Sequence, residues 1–175
     1  MNARIRAILI ICGVVLIDRL TKMWIQARVS QWDLHPVIPG FFNIVHTENP
    51  GAAFGALADW QSNLRPLVLI GISVVVIAII AGMLFRSAKS TASMSVLMQT
   101  GLAFVFGGAV GNLWDRLFRG TVTDFLQFFF GSYEYPSFNA ADSAIFVGAA
   151  LLLIDLWMNR RKQEPRGLGE KLVGQ

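Results

Sequence analysis

Four apolar stretches along the chain predict helices that cross a membrane. Residues 67–85 and 94–113 contain no charged side chain, and residues 138–158 contain only two aspartates. Each stretch has about the 20 mainly apolar residues that a spanning helix needs. Residues 5–25 form a fourth stretch, whose second half carries charged residues. We therefore predict helices over these four ranges.

The first stretch also has features of a secretory signal peptide, because Arg4 and Arg6 precede a short apolar run. Two observations favour an uncleaved helix instead. No small-residue cleavage motif follows the run, and the helical pattern continues through Asp18 and Lys22. We expect a helix that stays in the protein.

Basic residues mark one side of the predicted bundle. They precede the first helix, occupy the short link between the second and third, and follow the fourth. The positive-inside rule assigns that side to the cytoplasm. Both termini then face the cytoplasm, with a basic tail over about 159–175. The long loops over about 26–66 and 114–136 face outward.

The first outer loop is predicted to be a folded platform. Pro36, Gly40 and Pro50 divide it, and residues 41–46 alternate loosely between apolar and polar, as a short strand does. A loop of this length without structure of its own is uncommon. The predicted fold is an all-α integral membrane protein, one domain over residues 1–175. It has four transmembrane helices and a small outer-face β-like platform in the first outer loop.

Composition supports the membrane assignment and excludes several classes of protein. Hydrophobic residues make up 54% of the chain and charged residues 15%, against about 25% charged in a typical soluble domain. Mean hydropathy is +0.54. The net charge of +4 forms no basic stripe with interleaved aromatics, so we expect no nucleic-acid partner. The single cysteine, Cys12, excludes an intrachain disulfide.

Polar residues from three predicted helices reach one depth near the outer face. They are Asp18 and Lys22 in the first helix, Asn112 at the end of the third with Asp115 and Arg116 just beyond it, and Asn139 and Asp142 at the start of the fourth. Ionisable groups inside a membrane are costly and face the bundle interior or a wet cavity. Their convergence predicts a site open to the outer side.

Taken singly, each of these residues has a structural interpretation. Asn139 is a good N-cap, and Asp142 is a first-turn carboxylate favoured by the helix dipole. Asp124 by itself is interpreted as a solvated loop aspartate. Asp18 and Lys22 together are interpreted as a structural ion pair. Only their joint occurrence favours a functional site.

Two aspartates supply the simplest chemistry for such a site. An ionised carboxylate takes a proton from water as general base, while a protonated one polarises a carbonyl group and later donates its proton. Two close carboxyl groups share a proton and titrate as a pair. Asp124 and Asp142 are the best-placed pair, and Ser143 with Lys22 is a weaker nucleophilic alternative. The histidines lack metal-site spacing, so neither a metal nor a cofactor is expected.

Five sequence blocks, in order over residues 18–143, resemble lipoprotein signal peptidase (signal peptidase II). The blocks are Asp18-x-x-Thr21-Lys22, Asn49-Pro50-Gly51-Ala52-Ala53-Phe54-Gly55, Gly111-Asn112-Leu113-Trp114-Asp115-Arg116, Val122-Thr123-Asp124-Phe125 and Phe138-Asn139-Ala140-Ala141-Asp142-Ser143. One departure is Thr123, where the family usually has an aliphatic residue. A hydrogen bond from its hydroxyl to the adjoining Asp124 would shift the titration of the aspartate pair, and we expect the reaction to be unchanged.

The resemblance implies an intramembrane aspartic endopeptidase of the bacterial inner membrane, with its site near the periplasmic face. Its substrates would be diacylglyceryl-modified prolipoproteins, cut just before the lipidated cysteine. Asp124 and Asp142 would be catalytic. The supporting and substrate-binding residues would be Asp18, Lys22, Asn49, Gly51, Asn112, Asp115, Arg116 and Asn139. The resemblance further implies contact with membrane lipids and inhibition by globomycin-type compounds, and we expect a monomer.

Two other classes of protein remain as alternatives. A small proton-coupled transporter would use Asp18, Lys22 and Asp142 as a relay. It should carry ionisable residues in both halves of the bundle, whereas the inner halves of the second and third helices have none. A non-catalytic assembly protein would tolerate Asp124→Asn.

Overall fold

The computed structural model describes residues 2–31, 33–51, 64–87 and 94–163. These residues form four long helices and one small sheet. In chain order the elements are α1 (Ala3–Arg28), β1 (Leu34–Ile38), β2 (Phe42–Asn49), α2 (Arg65–Ser87), α3 (Val96–Arg119), β3 (Val122–Phe130), β4 (Tyr133–Phe138) and α4 (Ala140–Gln163).

The protein is a helical membrane protein with three candidate spans among its described residues. Residues 65–84, 96–119 and 140–160 are long and apolar enough to cross a bilayer. Helix α1 is long enough but is not among these candidates, because charged residues lower the apolar content of its outer half. Parts of two predicted regions, the link 88–93 and the tail 164–175, lie outside the described residues.

Helix α3 is central and packs against each of the other three helices. Its approach to α4 is especially close. A β-carbon at Gly108 would lie 2.4 Å from the backbone oxygen of Ala141, and one at Gly148 would lie 2.6 Å from that of Gly101. Small residues permit such contact between membrane helices. The outer end of α3 therefore lies directly beside the first turn of α4.

Helix α3 also continues beyond its predicted end. The sequence analysis placed Asp115 and Arg116 in an outer loop that began at residue 114, but both lie on the last turns of α3. The helix stops only at Gly120, whose φ of +78° is left-handed and favours glycine. Both side chains are thereby fixed by the helix. At the other side of the site, Phe138 belongs to β4 rather than to the fourth helix.

The sheet is antiparallel, with strand order β1-β2-β3-β4. The platform predicted in the first outer loop extends into the second loop, which supplies two of the four strands. β3 combines β-branched and aromatic residues between Gly120 and Gly131, a pattern that is typical of a strand. Pairing of β2 with β3 brings Thr47 opposite Asp124 and Asn49 opposite Val122.

An apolar cluster joins the sheet to α1. Ile25 and Val29, at the end of α1, pack with Phe125 of β3, and all three are buried. Phe125 is adjacent to Asp124 along β3, so this packing fixes the strand that carries the aspartate.

The inner ends of the helices are joined by a separate set of polar contacts. The Ser95 hydroxyl donates to Asp155 and accepts from the backbone N–H of Met98. Asn159 also donates to Asp155, at 3.0 Å. Asp155 is buried, and it ties the start of α3 to α4.

Candidate active site

Asp124 lies on β3 and is almost completely buried. Its Oδ2 accepts a hydrogen bond from Asn49 Nδ2 at 2.9 Å, and its Oδ1 accepts one from Asn139 Nδ2 at 2.7 Å. Burial, followed by the nearby carboxyl group of Asp142, raises the pKa of Asp124 to about 7. The amide donors and Lys22 oppose that shift without cancelling it. Asp124 is thus a carboxyl group that holds a proton near neutral pH.

Asp142 lies in the first turn of α4, where it and Asn139 cap each other. The Asp142 backbone N–H donates to Asn139 Oδ1 at 2.9 Å, and the Asn139 N–H donates to Asp142 Oδ2 at 3.3 Å. This reciprocal pattern is a capping box. The capping interpretation of Asn139 is therefore correct, but Asn139 also contacts Asp124, so it links the two aspartates.

Asn49 is oriented by the backbone that follows it. The Gly51 N–H donates to Asn49 Oδ1 at 2.8 Å, which leaves the Asn49 amide nitrogen facing Asp124. Gly51 has a φ of +111°, and a β-carbon there would lie 2.1 Å from the Leu69 side chain. Only glycine fits this turn without strain. The rest of the predicted motif, residues 52–55, lies outside the described residues.

Asn112, at the outer end of α3, connects the aspartates to a charged group beneath them. Its Nδ2 donates to Asp142 Oδ1 at 2.7 Å. Its Oδ1 accepts from Lys22 Nζ at 3.1 Å and from Asn139 Nδ2 at 3.3 Å. Three asparagines from three different segments therefore hydrogen-bond to the two aspartates.

Lys22 lies under Asn112 in a buried ion network. Its Nζ is 2.9 Å from Asp18 Oδ2 and 2.8 Å from Asp115 Oδ2, and all three side chains are fully buried. The predicted pairing of Asp18 with Lys22 is present. Asp18 also accepts from the Ala141 N–H at 3.0 Å, which ties α1 to the start of α4.

Asp115 forms an ion pair with a residue of α1 and not with Arg116, its neighbour in the sequence. It pairs with Arg19 of α1, whose Nη1 is 2.6 Å from Asp115 Oδ1, rather than with Arg116. Sequence reasoning missed Arg19 because its partner is 96 residues away and shares no local spacing with it.

Arg116 lines the same cavity as the two aspartates. Its Nη1 donates to the Asn112 backbone oxygen at 3.4 Å, while its Nε is buried and has no hydrogen-bond partner within the described part of the chain. The guanidinium therefore retains donors for a bound molecule.

One cavity of about 770 Å³ contains both aspartates. Its polar part is completed by Asn49, Asn112, Arg116, Ser137 and Ser143. Its apolar walls come from the sheet and from α4, and they comprise Phe41, Val122, Phe128, Phe130, Tyr135, Phe138, Ile145, Phe146, Val147 and Ala149. The site therefore combines a small polar centre with a large apolar surface.

A second polar cluster lies behind β3 and includes Thr123. The Thr123 hydroxyl donates to Glu48 at 3.1 Å and accepts from Gln26 at 2.7 Å. The expectation that it affects Asp124 directly was wrong, because successive side chains on a strand point to opposite faces. His46 also contacts Glu48, and its other ring nitrogen contacts the Val29 backbone oxygen at 2.7 Å.

Glu48 is the centre of this second cluster, which sequence reasoning missed. Burial by itself would raise the pKa of Glu48. Hydrogen bonds from Thr121, His46 and Thr123, with the charge of Arg119, instead lower it from its ordinary 4.5. The only sequence signal for this cluster was the position of Glu48, which directly precedes the motif residue Asn49 in a segment with strand-like alternation.

The structure brings together every predicted site residue. Asp124, Asp142, Asn49, Asn112 and Arg116 line the cavity. Asn139 and Gly51 orient them, and Asp18, Lys22 and Asp115 lie directly beneath.

The sequence and the site together match one known family. The family model described as signal peptidase (SPase) II matches residues 10–158, a range that includes both aspartates and all three asparagines. The chain belongs to the signal peptidase II family. The resemblance drawn from the five sequence blocks is thereby confirmed.

Curated relatives in this family are similar over most of their length. The chain is 43% identical to the lipoprotein signal peptidase of Maridesulfovibrio salexigens over 165 residues, which cover 91% of this chain and 100% of the relative. It is 43% identical to the lipoprotein signal peptidase of Solibacter usitatus over 146 residues, 83% of this chain and 87% of the relative.

Solved structures of bacterial membrane enzymes share the fold. A bacterial membrane enzyme determined by the in meso method at 2.3 Å resolution superposes with a TM-score of 0.79. It is 30% identical in sequence, and the match covers 92% of this chain and 93% of that one. A second bacterial membrane enzyme, determined at 1.9 Å, has a TM-score of 0.74 and 32% identity, over 86% of this chain and 92% of that one.

Proposed function

We propose that this protein is an aspartic endopeptidase that removes the signal peptide from diacylglyceryl-modified prolipoproteins, cutting just before the lipidated cysteine. One observation carries the proposal. In a chain of the signal peptidase II family, Asp124 and Asp142 line one cavity and are linked by Asn139. Family membership gives no support to the proton-coupled transporter.

The geometry supports different roles for the two carboxyl groups in the proposed reaction. Asp142, as general base, takes a proton from water, and the water oxygen bonds to the scissile carbonyl carbon. Asp124, protonated near pH 7, donates a hydrogen bond to the carbonyl oxygen. When the carbon–nitrogen bond breaks, a proton passes from the pair to the leaving amine. The dyad then again holds one proton, and neither a metal nor a cofactor takes part.

Arg116 and the asparagines position the substrate and the dyad. Arg116 lines the cavity and carries several N–H donors on its guanidinium, so it can bind backbone or ester oxygens next to the scissile bond. The buried amides hold both carboxyl groups in fixed orientations, which reduces the reorganisation needed during the reaction.

The membrane placement follows from which residues face outward. On α1, Asp18 and Lys22 are fully buried, while apolar residues such as Leu9 and Leu16 are 58% exposed. Charged residues inside and apolar residues outside are what a helix surrounded by lipid requires, so this pattern supports α1 as the fourth membrane crossing. Arg4 and Arg6 at its start support cytoplasmic termini in the bacterial inner membrane, with the dyad near the periplasmic face.

The apolar part of the cavity suits a lipidated substrate. Phe146 of α4 lines the cavity and is 77% exposed on the surface that would face lipid. A substrate held by its acyl chains and signal helix reaches the site by lateral diffusion, and only the scissile peptide leaves the lipid. Membrane lipids therefore surround the monomer, and globomycin-type compounds should compete for this cavity.

A gel-shift cleavage assay tests the proposal. The purified protein in detergent is given a diacylglyceryl-prolipoprotein or its unlipidated form. We expect cleavage of the lipidated form only, and loss of cleavage in Asp124→Asn and in Asp142→Asn. Asp33→Asn is the matched control, because Asp33 is an exposed aspartate that does not line the cavity. Normal turnover by either dyad variant would remove the mechanism.

A further inference from the structure

The orientation of the Asn112 amide is determined by its hydrogen-bond partners, and Lys22 is the charged donor among them. A side-chain amide has an oxygen that accepts and a nitrogen that donates, and an ammonium group only donates. The Asn112 oxygen must therefore face Lys22 Nζ, at 3.1 Å, and its nitrogen must face Asp142, at 2.7 Å. The flipped amide would place two donors together and an oxygen against the carboxylate.

The other two asparagines of the site are oriented differently. The oxygen of Asn49 accepts from the Gly51 backbone N–H, and that of Asn139 accepts from the Asp142 backbone N–H. A side-chain substitution does not remove these backbone donors. Asn112 alone among the three has its oxygen held by a side-chain cation, so its orientation can be tested by mutation.

Lys22 is held in place and does not reach the substrate. Asp18 and Asp115 flank its ammonium at 2.9 and 2.8 Å, and its side chain is fully buried. Lys22 does not line the cavity that contains the two aspartates. Any effect of Lys22 on the reaction must therefore pass through a neighbouring group or through its charge.

We propose that Lys22 is a positioning residue, which fixes the Asn112 amide so that its nitrogen donates to Asp142 and holds that carboxylate ready to accept a proton from water. This inference rests on the proposed function, in which Asp142 is the general base. Without Lys22, the Asn112 oxygen retains only the longer hydrogen bond from Asn139 Nδ2, at 3.3 Å, and the amide is held less firmly. Its oxygen can then face Asp142 and repel the ionised carboxylate.

A double-mutant cycle tests this relay. Lys22→Met removes the donor from a side chain of similar length, Asn112→Ala removes the amide, and the double variant removes both. We expect each single variant to lower kcat by about tenfold or more, with KM changed less than about twofold. In both single variants, the pH at which kcat is half-maximal on the acidic side of its profile should rise by about one unit. In the Asn112→Ala background, Lys22→Met should lower kcat by less than about twofold further.

Arg19→Met is the matched control. Arg19 pairs with the same carboxylate, Asp115, but makes no contact with Asn112. We expect this variant to keep kcat within about twofold and to keep the pH profile. A loss in Arg19→Met as large as that in Lys22→Met would show that charge balance is what matters, and would overturn the relay.

Losses that multiply in the double variant would also overturn the relay, because they would show that Lys22 acts through its charge or through packing. Should Lys22→Met not fold, the double variant Asp18→Asn/Lys22→Met replaces it. This double variant balances the lost charge, and the oxygen of the new amide at position 18 still accepts from the Ala141 N–H. The same criteria then apply. An inactive wild type or an active Asp142→Asn would refute the proposed function, whereas an additive cycle with an active wild type refutes only the relay.

Discussion

Asn139 and Asp142 hydrogen-bond to each other twice across the first turn of α4, at 2.9 and 3.3 Å. The side-chain nitrogen of Asn139, Nδ2, also donates to Asp124 Oδ1 at 2.7 Å. Asn139, the residue that caps α4, therefore also sets the relative position of the two aspartates. Stability and activity at this position should be separable by mutation.

The first prediction compares Asn139→Ser with Asn139→Ala. Serine keeps the helix cap but cannot reach Asp124 with an amide, whereas alanine loses both contacts. We expect Asn139→Ser to keep wild-type stability and to lose about tenfold or more in kcat. Asn139→Ala should lose the same activity and about 1 kcal/mol of stability. Thermal unfolding in detergent and the cleavage assay measure the two effects, and full activity in Asn139→Ser would contradict the bridging role.

The second prediction concerns pH. The pKa of Asp124 is raised to about 7, and the proposed mechanism needs this carboxyl group protonated. We expect kcat to be highest just below pH 7 and to fall about tenfold per pH unit at higher pH. A single-turnover profile from about pH 5 to about pH 9 tests this. A rate that stays constant above neutral pH would show that Asp124 does not act as the acid.

The raised pKa also predicts a pH dependence of stability. A carboxyl group with a raised folded-state pKa stabilises the protein fully below its ordinary value of 3.8, and this contribution is lost as the pH rises to about 7. We expect the Tm of the wild type to fall across this window relative to that of Asp124→Asn. Parallel Tm curves for the two proteins would argue against a raised pKa.

The third prediction concerns the buried ion network. Asp115 contacts both Arg19 and Lys22 and is fully buried. Asp115→Ala leaves these cations without a shared carboxylate, a loss that typically costs about 3–5 kcal/mol. We expect the Tm to fall by about 10 °C. Asp33→Ala, at an exposed aspartate, is the control and should leave the Tm unchanged.

The fourth prediction concerns the cluster behind β3. Glu48 accepts hydrogen bonds from Thr121 at 2.6 Å and from Thr123 at 3.1 Å. Glu48→Gln should lower stability at pH 7 by about 1–2 kcal/mol. Because the pKa of Glu48 is lowered, its stabilisation is fully present above 4.5 and is lost as the pH falls through the depressed value.

The difference in Tm between wild type and Glu48→Gln should therefore shrink when the pH is lowered from 7 to about 3. Glu134→Gln is the control, since Glu134 is exposed and accepts from Gln127. A difference that stays constant with pH would show that the carboxylate charge contributes nothing.

The sequence by itself determined the helices and the chemistry of the site. Long apolar runs have few alternatives in a membrane, because every backbone group must be hydrogen-bonded within the segment. Polar residues at one depth, such as Asp18, Asn112 and Asp142, identified the end of the bundle that carries the site. Their spacing along each helix is a local property, which a sequence contains directly.

Only the tertiary structure decided which of these residues contact each other. The pairing of Arg19 with Asp115, the cluster around Glu48 and the position of Asp124 on a strand shared by two loops all depend on contacts between distant segments. No local pattern encodes such pairings, since each results from packing the sheet against α1 and α3 against α4. The orientation of Asn112 between Lys22 and Asp142 likewise requires atomic positions, because an amide has no preferred direction until its neighbours are in place.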